Sequence, residues 1–190
     1  MIATLDEMSE GRIELGLGAG WYEAEHDPIG IPLPSVRERF DRLEEQLAIV
    51  RGLWSGSPFT FEGRYHQLRE ATLPARWVQA PPPLLVGGQG KPRTIALAAR
   101  YADELNLDQL EPDGCREALD RLDVALDSIG RPRDAVIRSN AASWLPGDLD
   151  DQRERIAAFE AAGVQRLYIK RRPDAPLSEI AAFGRDVIGG

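Results

Sequence analysis

Short apolar runs rich in strand formers alternate along this chain with amphipathic helical segments. That alternation restricts the fold more than any other feature. The runs are Ile13 to Leu17, Leu84 to Val86, Leu105 to Leu107, Ala135 to Ile137 and Leu167 to Ile169. Between them lies a helical period. From Ser35 to Trp54, residues Phe40, Leu43, Leu47, Val50 and Trp54 recur at the spacing of one helix face. Ser35 with Glu38 reads as a capping box at its start. Pro92 suits the first turn of a helix carrying Ile95, Leu97, Ala98 and Tyr101. A third helix is expected from about Arg116 to Ile129, where Gly130 suits a left-handed stop, and a fourth from Asp150 to Ala162 before Gly163. A last one follows Pro176, with Ile180, Phe183 and Val187 on one face.

The last three steps between strand midpoints, 21, 30 and 32 residues, have the size of a βαβ step. Strands of this kind between amphipathic helices form a parallel sheet covered by helices, an α/β fold. The first step is longer. It holds the Ser35 helix, a hairpin signal in which Phe59, Phe61 and Tyr65 flank Glu62-Gly63, and a proline-rich stretch from Pro74 to Pro83. Residues 22–83 read as an insertion within a single domain covering 1–190. The count is about five β/α units. A closed eight-stranded barrel takes about 250 residues, and an open five-stranded sheet fits the same pattern. Periodicity alone leaves both open.

Composition narrows the function. The chain has 23 Lys+Arg against 31 Asp+Glu, a net charge of −8, which argues against a nucleic-acid surface. No apolar run reaches the roughly 20 residues a membrane span needs, and the N-terminus lacks the basic region of a signal peptide. A single cysteine, Cys115, excludes an internal disulfide, so a reducing cytoplasm is expected. Two histidines and one cysteine make a zinc site improbable, and no metal is expected.

Two glycine clusters carry the chemistry. Glu14-Leu-Gly-Leu-Gly-Ala-Gly-Trp21 closes an apolar strand, and its glycines let a ligand approach the backbone. On its own it fits a Rossmann unit or an S-adenosylmethionine methyltransferase. Both need a helix directly after the glycines and an acidic residue ending a second strand about 20 residues on. Here a loop with Pro28, Pro32 and Pro34 follows instead, so a Rossmann-type methyltransferase is kept only as a second alternative. The second cluster, Val86-Gly-Gly-Gln-Gly-Lys-Pro-Arg93, follows a strand and opens a helix. Backbone N–H groups at a helix start bind phosphate, and Lys91 and Arg93 add positive charge. Both could be plain turns, but two glycine-rich strand ends in one parallel array point to a shared site at the carboxyl edge. His26 reads as a solvated loop residue, His66 as structural, and Glu44 and Glu45 as solvated helix faces. Cys115 lies near a helix start, which lowers a thiol pKa, but without a base partner it reads as inert.

Several runs together resemble the bacterial-luciferase-like superfamily of flavin- and deazaflavin-dependent oxidoreductases. They are Leu5 to Trp21, Arg39-Phe-Asp-Arg-Leu-Glu-Glu45 through Trp54, Phe61-Glu-Gly-Arg-Tyr65, Pro81 to Gly88, and Ala98-Ala-Arg-Tyr-Ala-Asp103 with Asn106. The resemblance implies an incomplete TIM-type (β/α) barrel of about five parallel strands with a hairpin-containing insertion. It also implies a cofactor at the barrel's C-terminal mouth: coenzyme F-420, or alternatively FMN. By the resemblance, Gly18, Ala19 and Gly20 line the ring and ribityl region, Gly87, Gly88 and Gln89 lie near the ribityl-phosphate, and Trp21 flanks the pocket. The implied chemistry is hydride transfer to or from a small organic substrate, or oxygen activation as a monooxygenase with FMN. Dimers are common in the family.

The chain begins at what corresponds to the helix before the family's fourth strand. The loops that supply the family's usual acid–base residues precede it, so the catalytic residues stay unknown. Five parallel strands leave two open edges and an uncovered sheet face, expected here to be apolar. Three explanations are open: a start further upstream, which is favoured; completion by another chain; or a non-catalytic truncated barrel that self-associates or binds flavin.

Overall fold

A computed structural model describes residues 1–73, 77–79, 81–143, 149–170 and 176–188. Helix α1 (Ile2–Met8) leads into strand β1 (Leu15–Leu17), and two short 3-10 turns precede α2 (Val36–Trp54). The antiparallel strands β2 (Phe59–Glu62) and β3 (Gln67–Ala71) follow. The regular alternation then runs β4 (Leu84–Gly88), α3 (Pro92–Tyr101), β5 (Glu104–Asp108), α4 (Pro112–Ser128), β6 (Ile137–Ser143), α5 (Leu149–Ala161), β7 (Arg166–Lys170) and α6 (Leu177–Phe183). One parallel sheet has the order β1-β4-β5-β6-β7. This is the α/β arrangement that the alternation predicts, and β2–β3 is the expected hairpin.

The helices cover one face of the sheet. Leu84 and Val86 from β4 and Leu105 and Leu107 from β5 are fully buried beneath Leu43, Leu47, Ile95, Ala98, Leu119, Leu122 and Phe159. Each such leucine contributes about 1.5–3 kcal/mol of burial. The β4–α3 loop needs Gly90. Its φ is +64°, and a Cβ there would lie 2.6 Å from the Ala118 methyl. Asp6 of α1 is buried, and its carboxylate accepts from the Val78 N–H (2.7 Å) and the Gln79 side chain (3.0 Å). That anchors the return of the chain towards β4. Asp103 accepts the Leu84 N–H at 2.8 Å and pairs with Arg51 at 2.8 Å, so the end of the Ala98–Asp103 motif sets the start of β4.

The opposite face corrects an expectation. It is polar, not apolar. Strand register places Glu104, Asn106 and Asp108 beside Ser139 and Ala141, and these beside Arg166, Tyr168 and Lys170. Ser139 Oγ donates to Glu104 Oε1 (2.6 Å), and the Arg166 guanidinium bridges Glu104 Oε2 (2.6 Å) and Glu14 Oε1 (2.8 Å). Tyr168 donates to Glu104 Oε1 at 3.1 Å. Glu14 precedes edge strand β1 and Arg166 begins edge strand β7, so one guanidinium ties the two edges together. Its hydrogen bonds to Tyr168 and then Glu14, with the Glu104 charge, outweigh burial and raise the Arg166 pKa. Burial, opposed by Arg166, raises that of Tyr168. Buried charges of this kind are tolerated because each has a partner.

Other boundaries also shift. Strand β6 begins at Ile137, not Ala135, because residues 133–135 form a 3-10 turn; polar Ser139 and Asn140 belong to the strand. Helix α4 starts at Pro112, not Arg116. Cys115 is therefore inside the helix and 0% exposed, and burial, then Glu111, pushes its pKa up to about 11, the reverse of the expected lowering. Of the capping box at α2, the Ser35 half forms, accepting from the Glu38 N–H, while Glu38 takes Arg42 at 2.8 Å. The hairpin turn spans 63–66, closed by the Gly63 N–H to the His66 carbonyl, so Tyr65 sits in the turn. Glu45 is not a solvated helix residue. It accepts N–H groups from Arg64 (2.6 Å), Tyr65 (3.0 Å) and His66 (2.9 Å) and contacts the His66 ring at 3.0 Å. Burial alone would raise its pKa, but the His66 ring and those N–H groups outweigh it and hold the carboxyl below 4.5. Residues 74–76 and 80 of the proline-rich stretch lie outside the described residues.

Candidate functional site

The carboxyl ends of the strands open into one cleft of about 1020 Å³. A volume of this order holds a drug-sized or cofactor-sized molecule. Gly18, Ala19, Gly20 and Trp21 line it from the end of β1, and Gly87, Gly88 and Gln89 from the end of β4. The structure thus brings together both glycine clusters singled out in the sequence. Trp21 is 77% exposed at the mouth, where its ring meets Tyr22 at 5.2 Å.

The floor consists of glycines the fold does not require. A Cβ on Gly16 would lie 3.7 Å from Leu85, one on Gly18 3.5 Å from the Gly87 carbonyl, and one on Gly87 3.9 Å from Leu17 and Leu85. These are ordinary contact distances, and none of the three needs a left-handed backbone. Gly20 differs, since its φ of +73° accounts for a glycine. A side chain at 16, 18 or 87 therefore fits the protein but occupies the cleft. Glycine there keeps a flat backbone surface open.

The second wall is the start of α3. Its N-cap, Lys91, makes no side-chain cap, and Pro92 occupies the first turn, so the N–H groups of Arg93 and Thr94 lack a capping acceptor. Thr94 lines the cleft and is 3% exposed, and its hydroxyl has no hydrogen-bond partner among the described residues. A hydroxyl that faces the cleft without a partner, beside uncapped N–H groups at a helix start, fits an anionic oxygen. Arg93 does not add its charge there, contrary to expectation. It pairs with Asp41 (2.7 Å), donates to the Arg37 carbonyl (3.2 Å) and lies over Phe40 at 5.2 Å. Lys91 does line the cleft.

Further lining residues were not singled out from the sequence. Val36, Arg39 and Phe40 come from the first turns of α2; Asp108, Gln109 and Lys170 come from the ends of β5 and β7. Asp108 and Lys170 form a 2.5 Å ion pair across β6, over the small Ala141. Asn106 donates to Ser139 Oγ at 2.8 Å and connects the cleft to the Glu104 network. The strand-end positions were findable, because sites in parallel sheets gather at carboxyl ends. Arg39 gave no signal, since its helix is distant in sequence from the strands it faces.

His26 contacts the Ile31 carbonyl (3.1 Å) and His66 contacts Glu45, so neither histidine faces the cleft. The methyltransferase alternative fails on topology. Strand β1 is an edge strand beside β4, and 3-10 turns, not a helix, follow its glycines. Among the described residues no His, Cys, Asp and Glu cluster is placed to hold a metal ion, and no helix is long and apolar enough to cross a membrane.

Comparison with known proteins places the chain in a family. An F420-dependent glucose-6-phosphate dehydrogenase from Nakamurella multipartita is 38% identical over 141 residues, covering 66% of this chain and 41% of that protein. An FMNH(2)-dependent dimethylsulfone monooxygenase from Pseudomonas putida is 30% identical over 102 residues, covering 54% of this chain and 28% of its own length. The chain thus spans about two fifths or less of these relatives. The solved structure of a coenzyme F420-dependent tetrahydromethanopterin reductase from Methanopyrus kandleri superposes with a TM-score of 0.76 at 17% identity, over 99% of this chain and 77% of that one. That likeness shows the fold: the five-stranded sheet is part of a luciferase-like barrel. The pattern of the luciferase-like monooxygenase family matches residues 1–183, and the chain belongs to that family.

Proposed function

We propose that this chain is the cofactor-holding part of an oxidoreductase that moves a hydride between a deazaflavin or flavin and a small organic substrate, with coenzyme F-420 as the cofactor and FMN as the alternative. The observation that carries this reading is the glycine floor at residues 16, 18 and 87, bare without any need from the fold. Gly18, Ala19 and Gly20 bear on the ring and ribityl chain. Gly88, Gln89, Lys91 and Thr94 receive the phosphate at the start of α3, and Trp21 covers the mouth. When bound, the cofactor supplies the hydride chemistry, and the protein positions it. The Asp108–Lys170 pair offers the substrate side a carboxylate and an ammonium at hydrogen-bonding reach.

The F-420 preference is supported by the relatives whose names carry that cofactor. The monooxygenase relative supports FMN as the alternative. Operation in the cytoplasm and assembly as a homodimer belong to the same proposal. Fluorescence titration of the purified chain with F-420 and with FMN tests it. Saturable binding of either supports the reading. No binding of either leaves the non-catalytic truncated barrel as the better account.

A further inference from the structure

We infer that the corner of the cleft formed by Asp108, Gln109 and Lys170 recognises an uncharged, hydroxyl-bearing part of the substrate, and not an anionic or cationic one. This rests on the cofactor reading above, which sets the cofactor over the ends of β1 and β4 and leaves the ends of β5 and β7 to the substrate. A strained residue marks the corner. Gln109 has a φ of +58°, a left-handed backbone that residues other than glycine rarely adopt. Such strain persists only where the surrounding structure holds it, and it gathers at ligand sites. Two residues of β6 hold it here. The Gln109 N–H donates to the Ala141 carbonyl at 2.9 Å, and its Oε1 accepts from Ser143 Oγ at 2.7 Å.

Held in this way, Gln109 keeps its Nε2 without an acceptor among the described residues. Lys170 gives one N–H to Asp108 Oδ1 at 2.5 Å and keeps two, while Asp108 Oδ2 has no donor among the described residues. Asn106 donates from Nδ2 to Ser139 Oγ and keeps its Oδ1. All four side chains line the cleft. The Lys170 and Asp108 side chains are 53% and 35% exposed, so their remaining donors and acceptors are open to a ligand.

The corner therefore presents two donor groups, two acceptor atoms and no net charge. An anion brought to Lys170 also meets the free oxygen of Asp108, and a cation brought to Asp108 meets the free N–H groups of Lys170. A hydroxyl meets neither penalty, because one oxygen both donates and accepts. A pair of adjacent hydroxyls donates to Asp108 Oδ2 and Asn106 Oδ1 and accepts from Lys170 Nζ and Gln109 Nε2. Hydrogen bonds to the two charged partners are the stronger ones, so the ion pair sets which ligand is chosen. The start of α3 differs in kind. Among the described residues that line the cleft, Asp108 is the one carboxylate, and the N–H groups beside Thr94 belong to another element.

The test uses three probes of one size: trans-cyclohexane-1,2-diol, cyclohexanecarboxylate and cyclohexylammonium. The chain is first saturated with F-420 or FMN by fluorescence titration, and each probe is then titrated by ligand-observed NMR. The expected wild-type result is about tenfold tighter binding of the diol than of either ion, the scale of one hydrogen bond to a charged group. Asp108→Asn leaves the Lys170 charge uncompensated and makes the carboxylate the preferred probe. Lys170→Met leaves the Asp108 charge and makes the ammonium preferred. Gln109→Gly is expected to keep or raise the melting temperature, since glycine adopts positive φ freely, and to weaken the diol. Wild type that prefers either ion, or does not discriminate, overturns the inference and leaves the cofactor reading standing; this arm needs no variant to fold. A diol preference unchanged in folded Asp108→Asn and Lys170→Met overturns the assignment to this pair. If neither F-420 nor FMN binds, the cofactor reading fails and the substrate site fails with it.

Discussion

Replacing Gly87 by alanine or valine separates the demands of the fold from those of the site. Gly87 sits on the cleft face of β4, in register with Asn106, and a Cβ built there lies 3.9 Å from its nearest neighbours, Leu17 O and Leu85 Cδ2. The protein has room for it. Alanine in a strand interior is favoured over glycine by roughly 0.5–1 kcal/mol through the lost backbone entropy. Thermal stability of Gly87→Ala is therefore expected to hold or to rise by a few degrees. The added methyl projects into the cleft instead. Inserting one methyl group against a packed ligand costs about 1–3 kcal/mol, which is roughly a 5- to 150-fold loss of affinity, and the two further methyls of Gly87→Val cost more. Differential scanning fluorimetry reads the first quantity and cofactor fluorescence titration the second. Unchanged affinity in Gly87→Val would show that the cofactor does not lie over this floor. A collapse of stability in Gly87→Ala would show that the fold needs the glycine after all.

Three other outcomes follow from the same structure. Thr94→Val keeps shape and burial but removes the unpartnered hydroxyl, so it is expected to weaken phosphate-bearing ligands by about 1 kcal/mol with no loss of melting temperature; equal affinity by titration counts against a phosphate at that spot. Glu45→Gln loses charge-assisted contacts to the 63–66 turn and is expected to cost about 1–2 kcal/mol in urea denaturation. Because the folded Glu45 carboxyl lies below its free value of 4.5, its contribution is fully present above that pH and is lost as pH falls through the folded value; wild type but not Glu45→Gln shows this component in a pH series. Cys115, buried with a pKa near 11, is expected to resist a thiol reagent at pH 8 and to react fully on unfolding; rapid labelling of the folded protein would contradict its burial.

Much of this architecture was legible because periodicity reports burial. Leu84 and Val86, with Leu105 and Leu107, mark the helix-facing side of the sheet, and the glycine runs mark where strands end at a ligand cleft. The polar sheet face was equally present in the sequence. Glu104-Leu-Asn-Leu-Asp108 and Arg166-Leu-Tyr-Ile-Lys170 alternate strictly, and reading only their apolar residues concealed the second face. Strand β6 was misplaced for the same reason, since Ser139 and Asn140 are polar but bonded within the sheet. Glu45, Arg39 and the Arg166–Glu14 bridge were not legible. Their partners lie 19 to 152 residues away, and only the folded chain brings them together. The raised thiol of Cys115 was not legible either: it lies in the first turn of α4, and only its burial by packing reverses the lowering that a helix start gives.

A crystal structure of the chain grown with F-420 tests directly whether the cleft at the ends of β1 and β4 holds the cofactor. The expected result is the ring over Gly18, Ala19 and Gly20, and a phosphate oxygen within hydrogen-bonding distance of the Thr94 hydroxyl and the Arg93 and Thr94 N–H groups. A cofactor bound elsewhere on the molecule, or a cleft left empty at saturating F-420, would contradict it.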